Sequence, residues 1–253
     1  MEHTILDYLL VIGAGVIAGF LNAVAGGGSL ITLPLLITMG LPSAVANATN
    51  RVAIVGQNIF AVAGYHSKGV HAFPYSIWLA ISATLGAVLG AKIAVEIDDR
   101  LFNRMLSVIM IIIVAYLVLG KGKSNLEQVE RMSFKHQALG VILFFGVGIY
   151  GGFIQAGIGF IIIAILTGVN GFGLVKSNSA KVFVALIYTS AALIVFIIEG
   201  VINWKFGLIL AVGNAIGAWV GSRWSAAKGD VWVKRILVLA VTGLAIKLWF
   251  YGS

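Results

Sequence analysis

Hydrophobic residues run along the chain in long blocks that are separated by short polar stretches. The blocks cover roughly residues 5–24, 29–39, 47–66, 74–96, 101–119, 138–156, 158–168, 177–198, 203–226 and 231–251. Most are about 20 residues long, which is the length of an α-helix that crosses a ~30 Å hydrocarbon core. The second and seventh blocks are about half as long. The pattern predicts an all-α integral membrane protein of about ten segments, with the second segment of each half short and broken. Whether the short segments cross the bilayer or re-enter it stays open.

Composition agrees with this interpretation. The chain is 60% hydrophobic and 10% charged, whereas a soluble domain is about 25% charged. It has no cysteine, which excludes disulfides and thiolate metal sites. The N-terminus has no basic region of the kind that opens a cleaved signal peptide, so we expect none. We assign the net charge of +8 to the lysine and arginine bias of cytoplasmic loops, and we expect no nucleic-acid partner.

The two halves of the chain resemble each other. From about residue 40 a constant offset of 131 aligns them, so that Gly86 and Gly90 match Gly217 and Gly221. In the first helices the best offset is 133, which pairs Asn22 with Gln155. Because five segments per half is an odd number, the second half enters from the opposite face. The sequence therefore predicts a 5+5 inverted repeat, with repeats at 1–120 and 138–253 and a linker at 121–137.

The positive charges predict an orientation. With the N-terminus on one side, that side collects three Lys and Arg residues, and the side of the linker collects ten. The ten are Lys68, Lys121, Lys123, Arg131, Lys135, Lys176, Arg223, Lys228, Lys234 and Arg235; the three are Arg100, Arg104 and Lys205. The positive-inside rule then predicts that the linker is cytoplasmic. Both termini are predicted to lie on the outer side of the cell membrane, which is an inner or plasma membrane.

A run of three glycines interrupts the hydrophobic stretch between the first two segments. Gly26, Gly27 and Gly28 follow Asn22 and precede Ser29. Consecutive glycines free the backbone from helical geometry, and non-helical backbone at membrane depth must be buried or line a wet cavity. If the second helix begins at Ser29, its free N–H groups favour an anion, and Ser29 is a candidate N-cap. A tight structural turn between two helices is the alternative.

The third segment of each half opens with polar residues, in "NATNRVAIVGQN" (47–58) and "SNSAKVFVA" (177–185). An ionisable group inside the membrane is costly and usually functional, so Arg51 and Lys181 are candidates to flank a central site. Snorkelling to the headgroups is the alternative for both. Neighbouring amides are candidate donors to an oxyanion, with interhelical hydrogen bonding as their alternative. They are Asn22, Asn47, Asn50, Gln57, Asn58, Gln155 and Asn178.

Several kinds of chemistry have no basis in the sequence. No carboxylate falls deep in a predicted helix, so no proton-carrying acid is evident. There is also no zinc motif, P-loop or nucleophile–base arrangement. We therefore expect no metal, no cofactor and no enzymatic activity.

The stretch "GFLNAVAGGGSLITLPLL" followed by "GLPSAVANATNRVA", with a weaker second copy, resembles the TauE/SafE family of sulfite-exporter-like membrane proteins. The likeness covers nearly the whole chain. It implies a transporter of small sulfur-containing anions such as sulfite, sulfoacetate and other organosulfonates. The second half departs from the family pattern, because "GGFIQAGIGFIIIAIL" has neither a triple glycine nor a proline.

The function that the sequence predicts is therefore export of a small sulfur-containing anion by alternating access around a site at the bilayer midplane. An anion or small-solute channel and a non-transporting subunit of a membrane complex are the alternatives. The expected partners are the anion and membrane lipid, with a homodimer left as an option. The predicted substrate-binding residues are Asn22, Gly26, Gly27, Gly28, Ser29, Asn47, Asn50, Arg51, Gln155, Asn178 and Lys181.

Overall fold

A computed structural model of the chain describes residues 4–119 and 129–251. This part of the chain folds into α-helices without β-strands. The helices are α1 (Ile5–Val24), α2 (Ser29–Thr38), α3 (Ser43–His66), α4 (Tyr75–Glu96), α5 (Asp99–Leu119), α6 (Phe134–Phe153), α7 (Ile158–Gly168), α8 (Leu174–Ile198) and α9 (Trp204–Tyr251). Non-helical backbone at Gly229 (φ 76°, ψ −177°) interrupts α9, between the ninth and tenth segments that the sequence predicts.

Two helices begin earlier than the hydrophobic pattern predicts, because acidic residues far along the chain cap them. Asp230, directly after the break in α9, accepts hydrogen bonds from the N–H groups of Leu174 and Val175 at 3.0 and 2.8 Å. Asp99 accepts one from the N–H of Ala44 at 3.4 Å. A carboxylate at a helix N-terminus satisfies free N–H groups and the helix dipole. As a result α3 begins at Ser43 and not near residue 47.

The predicted linker also ends earlier than expected. Helix α6 begins at Phe134, so residues 134–137 are helical. Residues 121–128 of the linker, with Lys121 and Lys123, lie outside the described residues.

The two halves of the chain interlock, because each contributes one helix to a bundle formed mainly by the other. Helices α1, α3 and α9 form the first bundle, and α4, α6 and α8 form the second. A methyl group added at Gly213 would lie 2.3 Å from the carbonyl oxygen of Ile12, and one at Gly217 would lie 2.0 Å from that of Val16. Both numbers rise together, so α1 and α9 run in the same direction, with their backbones in close contact as small residues permit.

The second bundle repeats this contact. A methyl group added at Gly148 would lie 2.0 Å from the carbonyl oxygen of Ala83, and one at Gly152 would lie 2.1 Å from that of Ala87. Helices α4 and α6 therefore also run in the same direction. The short helix α2 packs on α1 and α3, and the short helix α7 packs on α6 and α8.

The distribution of side chains is that of a protein in lipid. Large apolar side chains face outward, such as Leu85 and Ile142, which are 62% and 68% exposed, whereas Arg51 is fully buried. Five helical stretches are long and apolar enough to span a membrane. They are Ile5–Val24, Tyr75–Glu96, Phe134–Phe153, Leu174–Ile198 and Trp204–Val233. Helix α3 is not among them, and most of its many polar residues are buried between the bundles.

Candidate functional site

The triple glycine forms a sharp reversal between α1 and α2. The N–H groups of Ala25 and Gly26 both donate to the carbonyl oxygen of Leu21, at 2.7 and 2.9 Å. Gly26 then adopts φ +99°, a conformation that favours glycine. A methyl group on Gly28 would lie 2.3 Å from the carbonyl oxygen of Ala18, so the chain has turned back beside α1. We call residues 25–28 the first break.

The N-terminus of α2 has no side-chain cap. Gly28 occupies the N-cap position, and Ser29 is the first residue inside the helix. An N-cap residue lies just before the first helical residue. Ser29 is itself the first helical residue, so the prediction that it caps the helix is wrong. The backbone N–H groups of Gly27, Gly28 and Ser29 are buried and have no acceptor among the described residues.

A second break, residues 154–157, joins α6 to α7 and begins in the same way, although it ends with Gly157 at φ +68° where Gly28 has φ −57°. The N–H groups of Ile154 and Gln155 both donate to the carbonyl oxygen of Tyr150, at 3.0 and 3.2 Å. Gln155 has φ +64°, so it takes the place that Gly26 takes in the first break. Equivalent residues around the two breaks therefore differ by 129 in number.

This register corrects the offset of 133 and the pairing of Asn22 with Gln155. Glycines spaced four apart, such as Gly15 and Gly19, match Gly148 and Gly152 at an offset of 133. A shift by one helical turn still matches Gly19 to Gly148. Only the hydrogen bonds at the helix ends decide between the two registers.

The first break touches the start of α7. A methyl group added at Gly26 would lie 2.5 Å from the Cα of Gly159, and one at Gly159 would lie 2.3 Å from the Cα of Gly26. Backbone meets backbone at this point, and both glycines are buried. The first break is therefore packed directly against the N-terminal turn of α7, without side chains between the two backbones.

Arg51 of α3, in the first bundle, binds the C-terminal end of α6, in the second. One terminal nitrogen donates to the carbonyl oxygen of Gly151 at 2.7 Å and to Oε1 of Gln155 at 2.8 Å. The other donates to the carbonyl oxygen of Gly152 at 2.6 Å. The guanidinium also lies 5.0 Å from the ring centre of Phe196. This fully buried side chain does not snorkel.

Lys181 of α8 makes the reciprocal contact, from the second bundle to the C-terminal end of α1. Its ammonium donates to the carbonyl oxygen of Asn22 at 2.6 Å and more weakly to that of Ala23 at 3.4 Å. It also donates to Oδ1 of Asn178 at 2.6 Å. The side chain is 3% exposed, so snorkelling to the interface is excluded here too.

The predicted amides complete both helix ends. Asn47 donates to the carbonyl oxygen of Phe153 at 2.8 Å, and Asn178 donates to that of Val24 at 2.7 Å. These carbonyls belong to the last residues of α6 and α1. Asn50 instead accepts a hydrogen bond from the hydroxyl of Thr32 in α2 at 2.8 Å.

The predicted residues thus lie around the two breaks. Most of them donate hydrogen bonds to carbonyl groups at the C-terminal ends of α1 and α6. Before the first break, in the last turn of α1, Asn22 offers its backbone carbonyl to Lys181. In the second, Gln155 bonds Arg51 through Oε1 and donates through Nε2 to the hydroxyl of Thr189 at 2.9 Å. Sequence reasoning missed Thr189, as well as the caps formed by Asp99 and Asp230. The sequence does carry one signal for Thr189, because this polar residue aligns with the polar Asn58 at an offset of 131.

The charges around the breaks favour a negative ligand. A helix carries about half a negative charge at its C-terminus and half a positive charge at its N-terminus. Lys181 and Asn178 neutralise the end of α1, and Arg51 and Asn47 neutralise the end of α6. The N-termini of α2 and α7 have no such compensation, because every carboxylate that the structure describes is at least partly exposed. Free N–H groups with a positive potential form an anion site.

Two further features concern access and metals. A cavity of about 30 Å³ opens between α3 and α8 and is lined by His66, His71, Ser76 and Ser179 among others. Among the described residues no group of three potential metal ligands occurs.

Comparison with known proteins gives consistent matches over the whole chain. The family model "Sulfite exporter TauE/SafE" matches residues 11–248. A "Probable membrane transporter protein ORF9" from Sinorhizobium sp. is 30% identical over 96% of this chain and 92% of its own length. A "Probable membrane transporter protein" from Haemophilus influenzae is 27% identical over 94% of both chains. The "Probable membrane transporter protein YfcA" of Escherichia coli is 27% identical over 92% of this chain and 86% of its own. No solved structure shows a significant match.

Proposed function

The chain belongs to the sulfite exporter TauE/SafE family of multi-pass membrane transporters, and from this premise we propose that it exports a small sulfur-containing anion. Sulfite and organosulfonates are the proposed substrates. The observation that carries the proposal is the pair of broken helices whose negative ends are neutralised and whose positive ends are not. Cations at carbonyl groups stabilise the fold, and the free N–H groups are left to bind substrate.

The balance of charge at the first break supports an anion in particular. Without Lys181, the negative end of α1 would lie beside the positive start of α2, and the electrostatic potentials of the two partial charges would largely cancel. The ammonium, with 2.6 Å contacts to Asn22 and Asn178, removes the negative partner. Burying an ammonium away from water costs several kcal/mol, and an anion bound nearby would offset part of that cost.

We infer an inverted repeat and alternating access from the way in which the halves interlock. Equivalent contacts recur at offsets of 129 around the breaks and 131 in the later helices, which supports a repeat. The moving units in this proposal are the two bundles. They differ from the two sequence halves, because α4 of the first half packs in the second bundle and α9 of the second half packs in the first. Arg51 and Lys181 each join one bundle to a helix end of the other, so they hold both bundles around the shared site.

The proposed direction follows from the membrane potential and the proposed orientation. With the inside negative, each negative charge that leaves the cell gains about 2.3 kcal/mol per 100 mV. Efflux then needs no coupled ion. With the linker in the cytoplasm, the cavity beside His66 and His71 lies toward the cytoplasmic side, from which an exported anion approaches.

The test is transport by the full chain in proteoliposomes. Vesicles loaded with sulfite, sulfoacetate or methanesulfonate should release the anion faster when a potassium gradient with valinomycin makes the interior negative. Protein-free vesicles are the control. Transport of none of these anions, or transport that follows an imposed proton gradient and ignores the potential, would contradict the proposal.

The same vesicles separate a carrier from a channel. A carrier shows counterflow, in which unlabelled anion on one side drives labelled anion transiently against its gradient. A channel shows none. Counterflow is the expected result, because the reciprocal contacts of Arg51 and Lys181 hold the site between two interlocked bundles.

A further inference from the structure

The outward face of α9 carries a row of exposed apolar side chains that ends in a tryptophan and a lysine. The apolar members are spaced four apart and are each 51% to 57% exposed: Leu208, Val212, Ile216 and Val220. Trp224 and Lys228 continue the same spacing. Residues four apart are neighbours on one face of a helix, so the row is continuous. From Leu208 to Val220 it is about 18 Å long, whereas one leaflet is about half of a ~30 Å hydrocarbon core. The row is therefore long enough to lie along an acyl chain.

The break in α9 brings a second cation to the end of this row. After Gly229, the ring of Trp232 packs edge-on against that of Trp224, with 6.5 Å between the ring centres. The guanidinium of Arg235 lies 4.7 Å from the centre of the Trp232 ring, and the ammonium of Lys228 lies 6.0 Å from the same centre. We call Trp224, Lys228, Trp232 and Arg235 the basic cluster. Two positive charges, one from each side of the break, therefore meet at one aromatic ring.

The part of the chain that the structure describes supplies no counter-charge to these two cations. Lys228 and Arg235 are exposed, and no described carboxylate forms an ion pair with either of them. Asp230, which lies between them in the sequence, accepts hydrogen bonds from the N-terminus of α8. Lys176 makes the contrast clear, because its ammonium also lies over an aromatic ring but pairs with Glu130 at 2.6 Å. The cations of the basic cluster are thus left for an anion from outside the chain.

The basic cluster lies where the first bundle ends. The Trp224 ring lies 5.8 Å from that of Phe20, about one turn before α1 ends at Val24. The apolar stretch of α9 that is long enough to span a membrane, Trp204–Val233, also ends within the cluster. Tryptophan is enriched at the membrane–water interface, at the level of the headgroups. In the proposed orientation this is the cytoplasmic surface, whose leaflet contains anionic lipids.

We propose that the basic cluster binds the headgroup of an anionic phospholipid, with an acyl chain along the apolar row of α9. Lys228 and Arg235 contact the phosphate oxygens. A zwitterionic headgroup is disfavoured, because its own ammonium would lie beside two cations whose shared ring, Trp232, they already occupy. A second copy of the chain is disfavoured too, since a two-fold axis along the membrane normal would bring the same cations of both copies to one depth. The inference concerns lipid and does not rest on the proposed function.

The test uses the full chain in phosphatidylcholine vesicles that contain a set share of phosphatidylglycerol. One of the two lipids carries brominated acyl chains, which quench tryptophan fluorescence on contact. Brominated phosphatidylglycerol should quench the wild type more than brominated phosphatidylcholine does at the same share, and Trp232→Phe should remove part of this quenching. A cation near an anionic headgroup strengthens binding by about fivefold. The double variant Lys228→Gln/Arg235→Gln should therefore reduce the preference for phosphatidylglycerol by about fivefold or more.

The matched control is the double variant Arg100→Gln/Arg104→Gln, which loses the same net charge. Both arginines are exposed, and Arg104 is the counterpart of Arg235 at the offset of 131. Apolar residues without tryptophan occupy the positions equivalent to the other three members of the basic cluster. This variant should keep the preference of the wild type.

Three results would overturn the inference: no preference in the wild type, an undiminished preference in Lys228→Gln/Arg235→Gln, or an equal loss in the control. If Trp232→Phe leaves the quenching unchanged, lipid does not reach this ring, a second copy covers the row, and the inference is overturned as well. Should the double variant fail to fold, the wild type in about 0.5 M salt replaces it. Screening of exposed charges should then abolish the preference, and a preference that salt leaves intact would contradict the inference.

Discussion

The contact between α4 and α6 offers a direct test of how the halves interlock. Gly148 and Gly146 are two residues apart in α6, and alanine at each has a different environment. A methyl group on Gly148 would lie 2.0 Å from the carbonyl oxygen of Ala83, and its three nearest atoms all belong to the Ala83 backbone. A methyl group on Gly146 meets nothing within 4 Å. Gly148→Ala must therefore separate the two helices, whereas Gly146→Ala leaves them in place.

The size of the effect follows from two terms. Alanine is favoured over glycine inside a helix by about 0.5–1 kcal/mol, and this gain is common to both variants. Overpacking a close contact costs about 1–3 kcal/mol, and more where backbone has to move. The common gain cancels in the comparison. The free energy of unfolding of Gly148→Ala should therefore lie about 1–3 kcal/mol below that of Gly146→Ala.

Unfolding by sodium dodecyl sulfate in mixed micelles, followed by the fluorescence of the chain's six tryptophans, measures this difference. Gly146→Ala should be as stable as the wild type or slightly more stable, and Gly148→Ala should be less stable than either. Equal stability of the two variants would refute the close contact between α4 and α6, and with it the exchange of helices between the bundles.

Three further predictions concern the breaks and the orientation. Arg51→Lys should lower the melting temperature in detergent and slow anion efflux, because an ammonium cannot bond two carbonyls and an amide with a planar fork; unchanged stability and efflux would contradict the contacts described. Gly26→Ala should lose transport, since its methyl group would collide with the backbone of Gly159 at the start of α7. Gly40→Ala is the control, since its φ is also positive (86°) but the space around it is open, and an equal loss in both variants would show that backbone strain alone is responsible. In this cysteine-free chain, Lys68→Cys should react with an impermeant maleimide only from the cytoplasmic side and Lys205→Cys only from outside, and the reverse pattern would overturn the proposed orientation.

The hydrophobic pattern was sufficient to predict an all-helical membrane protein and the short second and seventh helices; it predicted about ten segments, and the described residues form nine helices, the last of them interrupted at Gly229. It could not predict where α3 begins, because the residues that extend it are capped by Asp99, more than 50 positions away. Nor could it predict which helices exchange, because a pair of glycines four apart indicates a close contact without naming the partner.

The sequence predicted which polar residues lie close together and not which groups they bond. Asn47, Arg51, Asn178 and Lys181 do gather at the breaks, since polar residues in an apolar setting are confined to the protein interior. Their partners are mostly backbone carbonyls at helix ends, however, and a sequence carries no signal for those. The same limit explains the wrong partner for Gln155, because glycine matches tolerate a shift of one turn and backbone hydrogen bonds do not.

The central claim is that a buried cation at the end of α1 leaves the first break free to bind and move a small sulfur-containing anion. The most direct test compares potential-driven efflux of methanesulfonate by Lys181→Gln with that by Lys92→Gln in proteoliposomes. Both changes remove one positive charge, but Lys181 is buried at the break and Lys92 is exposed on α4. The account predicts that Lys181→Gln abolishes efflux while Lys92→Gln retains it. Undiminished efflux by Lys181→Gln in a folded protein would contradict the account.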